Sequence, residues 1–325
     1  MATVQLTLKV PRAVGRAIFL APLTIAGGIV VLFIAGSFMA HGFLAPSNVL
    51  TLVALSAYLG IAGIGETLVI ITGGIDLSIA WTVTAASIVF TGVSQGHESH
   101  LIPGLAAALS VGALAGLANG LGVTKLRISP IVMTLGMNNI MQGLTLIYSQ
   151  GTPSGTAPPI VRWIATGSVG PIPIIVLVWI ILAIVVSIGL HASKGGRHLY
   201  SVGESPVVSR LSGINNDLVL IVAYMLSGLC AAVTGILFTG FSSMSFLGMG
   251  DQFVLPSIAA VVLGGASIYG GRGSYAGTFV GAIFLTVLTT VLTIVNIAIG
   301  YRNIIYGFVI IAAVLLYRTY TRDRE

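Results

Sequence analysis

Runs of about 20 apolar residues recur along almost the whole chain, joined by segments too short to fold alone. They fall near 17–39, 49–72, 77–94, 101–122, 130–149, 171–191, 216–239, 252–270, 274–296 and 301–318. A helix needs about 20 apolar residues to cross a bilayer core, so each run is close to spanning length. Helix is also the form open to them. A free sheet edge cannot be satisfied in hydrocarbon, and barrel strands are about half as long. Of the 325 residues, 56% are apolar and only 7% are charged, where roughly 25% charged is usual for soluble domains. A soluble fold of this composition would expose one continuous apolar patch. The expected architecture is all-α and polytopic, a single transmembrane domain over residues 1–325 with about ten helices.

The charges set the direction of threading. Membrane proteins concentrate Lys and Arg on the cytoplasmic side. A tail of residues 1–16 carries Lys9, Arg12 and Arg16 ahead of the first run, Ala17 to Ala40. That run exceeds the roughly 7–15 residues of a signal-peptide core, so it is expected to be retained. From a cytoplasmic start, ten crossings place twelve of the fourteen basic residues inside; only Arg162 and Arg302 fall outside. One crossing more or fewer would invert every later loop. Both termini, including the tail 319–325, are therefore expected in the cytoplasm. The net charge of +6 follows from this topology and needs no nucleic-acid partner.

Two joins are glycine breaks rather than loops: Gly73-Gly74-Ile75-Asp76 between the second and third runs, and Gly270-Gly271-Arg272-Gly273 between the eighth and ninth. Small residues also recur at four-residue spacing, at Gly112, Gly116 and Gly120 and again at Gly277 and Gly281. Such faces let helix backbones approach closely in lipid.

Catalytic and metal constellations are not evident. The single cysteine, Cys230, excludes a disulfide framework. Gly265 to Gly270 suggests a phosphate loop, but Gly271-Arg272 stand where Lys and Ser/Thr are required. His97-Glu98-Ser99-His100 supplies too few ligands for a convincing metal site and reads as a solvated loop. No enzyme activity and no resident metal or cofactor are expected.

Glu66 and Asp76 are the acids inside the apolar sequence before residue 98. An intramembrane carboxylate is a candidate for the transport path; Asp76 can equally accept backbone N–H bonds at the start of the next helix. Asn138 and Gln142, four apart on one face of the fifth run, are further path candidates, with a helix–helix hydrogen bond as the alternative. The longest inside loop, 193–215, holds Ser205-Pro206, which read as N-cap and first helical residue. Val207, Val208 and Leu211 then share one face, Arg210 lies beside it, and Gly213 can close the helix. A short apolar-faced helix outside the bilayer needs a partner groove, which points to a cytoplasmic protein.

Four ordered stretches carry a family resemblance: Gly65-Glu-Thr-Leu-Val-Ile-Ile-Thr-Gly-Gly-Ile-Asp-Leu-Ser78; Leu117 to Arg127 with Thr134-Leu-Gly136; Gly196 to Gly203 continuing through Arg210 to Ile214; and Val262 to Ser274. The chain resembles the permease subunits of ribose-type ABC sugar importers over nearly its whole length. The resemblance implies two permease copies, identical or related, and two cytoplasmic ATP-binding subunits that hold ATP and Mg. It also implies a periplasmic sugar-binding protein, a bacterial inner-membrane location and a small sugar or sugar-like substrate. It assigns 205–213 as the coupling helix to the ATPase. Glu98, Arg162, Asp251 and Arg302, the charged residues outside, become candidates for docking the binding protein. The sequence departs from the family at Ile79-Ala80-Trp81, where Val-Gly is common and where bulky Trp81 challenges close packing. It departs again at Glu204-Ser205, where Gly-Asn is usual; Ser caps as well as Asn. The competing reading is a stand-alone carrier or channel for a small neutral solute, suggested by the broken helices.

Overall fold

The computed structural model describes the backbone of residues 12–322 and the side chains of residues 24–312. Lys9 and the rest of residues 1–11, and residues 323–325, lie outside the described residues, as do the side chains of Arg12, Arg16, Arg318 and Arg322. Among the described residues thirteen α-helices follow in order: α1 (Arg12–Met39), α2 (Pro46–Ile71), α3 (Ile79–Ser94), α4 (Leu101–Thr124), α5 (Pro130–Ser149), α6 (Pro159–Thr166), α7 (Ile174–Ala192), α8 (Lys194–Glu204), α9 (Pro206–Leu211), α10 (Asn216–Ser242), α11 (Val254–Leu263), α12 (Tyr275–Ile294) and α13 (Ile299–Arg322). A two-residue hairpin, Ser168–Val169 with Ile172–Pro173, precedes α7.

Ten of these helices fall on the ten apolar runs. By length and composition, α2, α4 with its leading turn, α7, α10 and α12 can each cross a membrane. Shorter apolar stretches are Thr24–Met39, Ile79–Ser94, Asp251–Leu263 and Ile299–Ala312. The helix α2 is the axis of the bundle: every residue from Ser56 to Thr72 is buried. A helix apolar all round belongs in such a position.

The small-residue faces decide the packing. Gly112, Gly116 and Gly120 of α4 meet the α10 backbone at Gly228, Tyr224 and Ile221, leaving no room for a Cβ. Gly277 and Gly281 of α12 close in the same way on Gly264 and on Ala260 of α11. Close backbone approach supplies in lipid the packing that the hydrophobic effect supplies in water. An aromatic clamp ties α7 and α12 to α2: Trp179 Nε1 donates to Tyr275 Oη (2.8 Å) and Tyr275 Oη donates to the Gly60 carbonyl (2.8 Å). Trp81 is accommodated, contrary to the doubt its bulk raised. It is buried with Ala115, Met137 and Met141, small or pliable partners that shape themselves around a large ring.

Two expectations need correction. The eighth run, 252–270, is not helical throughout, because α11 stops at Leu263. Gly265, Gly270 and Gly271 adopt φ of +89°, +89° and +73°, a region open to glycine and closed to a continuing helix. Residues 194–204 of the inside loop form the helix α8, capped by Ser193 Oγ, which accepts from Gly196 N (3.0 Å).

Candidate functional site

The short helix α9 is fixed at both ends. Ser205 Oγ accepts from Val208 N (3.3 Å), and Pro206 occupies the first turn, where its missing N–H costs nothing. At the far end Gly213 takes φ +81°. Gly213 N donates to the Arg210 carbonyl (3.0 Å) and Ile214 N to the Ser209 carbonyl (3.0 Å), a Schellman closure. The inward side carries Ser209, fully buried, whose hydroxyl donates to Asn216 Oδ1 (2.9 Å). Asn216 Nδ2 in turn donates to the Pro206 carbonyl (2.7 Å). This latch onto the start of α10 turns Val207, Val208 and Leu211 outward, at 70%, 59% and 84% exposure. Arg210 beside them is also exposed.

Behind α9, the helix α8 lies against both glycine breaks at once. Gly203 has no space for a Cβ between the Ile71 carbonyl and Gly271 N. Those two groups are themselves hydrogen-bonded (2.8 Å), joining the first break to the second. Tyr200 Oη donates to the Gly273 carbonyl (2.7 Å), and burial raises the Tyr200 hydroxyl above its ordinary pKa, so it remains a donor. Glu204 pairs with Arg272 at 3.7 Å. Three residues of α8 therefore touch the segment after α11, and one of them also touches the end of α2.

The first break is held by a buried polar cluster. Asp76 Oδ1 accepts from Ser78 N (3.0 Å) and Ser78 Oγ (2.6 Å); Asp76 Oδ2 accepts from Ser227 Oγ (2.7 Å) on α10. Asn119 Nδ2 of α4 donates to Ser78 Oγ (2.8 Å). Asp76 N donates to Glu66 Oε1 (3.3 Å), and both carboxylates are buried, at 0% and 1% exposure. Asp76 does accept a backbone N–H beside α3, as a turn across the break; the N-cap itself is Ser78. Ser227 is ten residues along α10 from Asp217, about 15 Å of rise.

The fifth helix joins this cluster from one side. Asn138 Oδ1 accepts from Trp81 N (3.2 Å) at the start of α3, and Thr134 Oγ1 donates to the Ile75 carbonyl (3.2 Å). Gln142, one turn further, is half-buried. The opposite side of α5 is open: Val132, Leu135 and Ile140 are at least half exposed, and nothing lies within 4 Å of a Cβ built at Gly136 or Gly143.

At the other end of the bundle the four charged candidates separate. Asp251 and half-buried Arg302 line one hollow of about 330 Å³ with Tyr58 and Tyr306, and Arg302 Nε donates to the Ile297 carbonyl (2.7 Å). Glu98 stands exposed in the turn before α4, and Arg162 is exposed on α6. Trp163 is 54% exposed, while Val161 and Ala165 of α6 are buried. Among the described residues, no three His, Cys, Asp or Glu side chains gather so as to hold a metal ion.

Sequence reasoning missed the Ser209–Asn216 latch and the contact of α8 with both breaks. Asn215-Asn216-Asp217 signals a helix start in the sequence; Asn215 does cap α10, but the latch made by Asn216 is a tertiary contact. The described residues thus form a bundle of apolar helices in which two glycine breaks converge behind an exposed, capped helix. Residues 48–314 match the family described as branched-chain amino acid transport system/permease component, and the chain belongs to that permease family. It is 33% identical to the ribose import permease protein RbsC of Escherichia coli strain K12 over 294 residues, 89% of this chain and 91% of the relative. Identity to RbsC of Bacillus subtilis strain 168 is also 33%, over 90% of this chain and 91% of that protein. The autoinducer 2 import system permease protein LsrC of Klebsiella pneumoniae is 32% identical over 89% of this chain and 83% of its own length. No solved structure is significantly similar to the chain.

Proposed function

We propose that this chain is the membrane subunit of an ATP-driven importer for a small sugar or sugar-like molecule. It crosses a bacterial inner membrane ten times with both termini in the cytoplasm, and catalyses no reaction itself. A second permease copy, identical or related, covers the open side of α5. A cytoplasmic ATP-binding subunit holds ATP and Mg, and a periplasmic sugar-binding protein delivers substrate. The relatives named for ribose and autoinducer 2 import support the substrate class.

The observation that carries the mechanism is the stack formed by α9, α8 and the two breaks. The exposed face of Val207, Val208 and Leu211 enters a groove of the ATPase, with Arg210 at the rim to meet an acidic side chain. Burying such a side chain contributes about 1.5–3 kcal/mol, enough to dock a two-turn helix. Ser205, Pro206 and Gly213 hold the helix in shape. A push on α9 passes to α8, and from α8 to Ile71 and to Gly271–Gly273 together. Both broken helices then move as one, opening or closing a path beside α5 where Asn138 and Gln142 meet sugar hydroxyls. Glu66 and Asp76 brace the first break at the edge of that path. Glu98, Arg162, Asp251 and Arg302 receive the binding protein.

A stand-alone carrier would have no use for an unpartnered, doubly capped apolar helix. Uptake of radiolabelled ribose or other small sugars into proteoliposomes, with the ATPase and the binding protein present, separates the two. Uptake that requires internal ATP supports the importer. Equal uptake without ATP or ATPase would establish the carrier.

A further inference from the structure

A groove of about 370 Å³ opens between α7 and α10, with Leu68 of α2 as its floor and α8 across its end. Val186 and Leu190 form one wall and Leu218, Val222 and Leu226 the other. From Leu218 to Leu226 the wall rises about 12 Å along the helix axis. Beside the groove, α7 presents Ile181, Ile184, Val185 and Ile188 at 54–61% exposure, so the groove continues an apolar surface that belongs against hydrocarbon.

Basic side chains stand near its closed end. His198 of α8 lines the groove; Lys194 and Arg197, four and one residues earlier on the same helix, are exposed and flank the lining residues Gly195 and Gly196 in sequence. Lys194 and His198 share a face of α8 at i, i+4 spacing. Arg197 Nη1 donates to the Ala192 carbonyl (3.2 Å), which holds the guanidinium at the α7–α8 corner. The neighbouring acids are engaged elsewhere, Glu204 with Arg272 at 3.7 Å and Asp217 with Lys125 at 2.7 Å. An apolar slot open to the bilayer, with His198 at its end and exposed Lys194 and Arg197 on the same short helix, matches one ligand chemistry, an acyl chain carrying an anionic headgroup.

We propose that this groove binds an anionic phospholipid, its acyl chain between α7 and α10 and its phosphate at Lys194, Arg197 and His198. Because α8 also rests on both glycine breaks, the bound lipid fixes the position from which α8 transmits motion. The site itself rests on the groove and the basic residues beside it and stands whether or not the importer reading does; only its effect on α8 rests on that reading.

The test is thermal unfolding of the purified full chain in detergent, titrated with phosphatidylglycerol, with phosphatidylcholine of the same acyl chains, and with inorganic phosphate. Phosphatidylglycerol is expected to raise the unfolding midpoint saturably, and the other two to leave it nearly unchanged. At about 1 kcal/mol for each cation near a lipid surface, Lys194→Gln with Arg197→Gln should weaken half-saturation roughly 30-fold. Val222→Trp should fill the slot and abolish the shift. Both cations are exposed, so the double variant carries the test even if Val222→Trp does not fold. An equal shift from phosphatidylcholine would make the slot a plain hydrocarbon groove, and an equal shift from phosphate would make the site an ion site. Either result, no shift at all, or an unchanged double variant would overturn the proposal.

Discussion

Adding one methyl group at Gly203 should uncouple this permease without unfolding it. A Cβ there would overlap the Ile71 carbonyl oxygen and stand 2.5 Å from Gly271 N. Both are backbone atoms, and they are hydrogen-bonded to one another at 2.8 Å, so no side chain can rotate away to make room. Overpacking of this kind costs about 1–3 kcal/mol, and loss of the bond between the breaks adds about 0.5–1.5 kcal/mol. Alanine recovers up to about 1 kcal/mol through helix propensity. Gly195, on the same helix, is the control, since a Cβ there meets its nearest atom, Ser193 Oγ, at 3.6 Å. Gly195→Ala should be neutral or slightly stabilising, and the two variants should differ by about 2–4 kcal/mol in thermal or denaturant unfolding. With α9 untouched, the Gly203→Ala variant should still bind the ATPase while ATP-driven uptake in proteoliposomes falls at least tenfold. Wild-type uptake and stability in Gly203→Ala would show that α8 does not bear on the breaks as described.

Three further outcomes follow from the same geometry. Asp76→Ala strands the donors of Ser78 and Ser227 in the core; at about 1–3 kcal/mol for each unsatisfied group, the protein should lose several degrees of unfolding midpoint, and an unchanged midpoint would refute the bracing role. Gln142→Leu should alter sugar uptake while ATPase binding is retained, whereas loss of the folded complex would indicate a packing role instead. Arg162→Glu should weaken stimulation of ATP hydrolysis by the binding protein and leave assembly intact; full stimulation would remove Arg162 from the docking surface.

Much of the bundle was legible because lipid imposes a simple grammar. Apolar runs marked the helices, and the four-residue glycine spacing in α4 and α12 marked faces that do close on other backbones. The N-cap and stop of α9 were equally readable, since Ser-Pro and Gly act through bonds within a few residues. What stayed hidden depends on distance in sequence. Hydropathy carried the eighth helix past Leu263 because Ala266, Ile268 and Tyr269 remain apolar, although Gly265 before them and Gly270 and Gly271 after them hold φ values no helix continues. The helix α8 read as loop because Gly195, Gly196 and Gly203 obscure its periodicity; Gly203 is needed for close approach to Ile71. Nothing local pairs residue 71 with residue 271, so the meeting of the two breaks, the centre of the proposed mechanism, was invisible in the chain.

The most direct measurement of that mechanism is ATP-driven sugar uptake by the Leu211→Asp variant, paired with co-purification of the ATPase. Leu211 is 84% exposed, so the bundle itself should fold normally, and its unfolding midpoint should match the parent protein. In the groove of the ATPase, however, the new carboxylate would be a buried charge without a partner. The expected result is a folded permease that loses ATPase attachment, ATP-driven uptake or both. Attachment and uptake at parental levels would contradict the assignment of α9 as the element that receives motion from the ATPase.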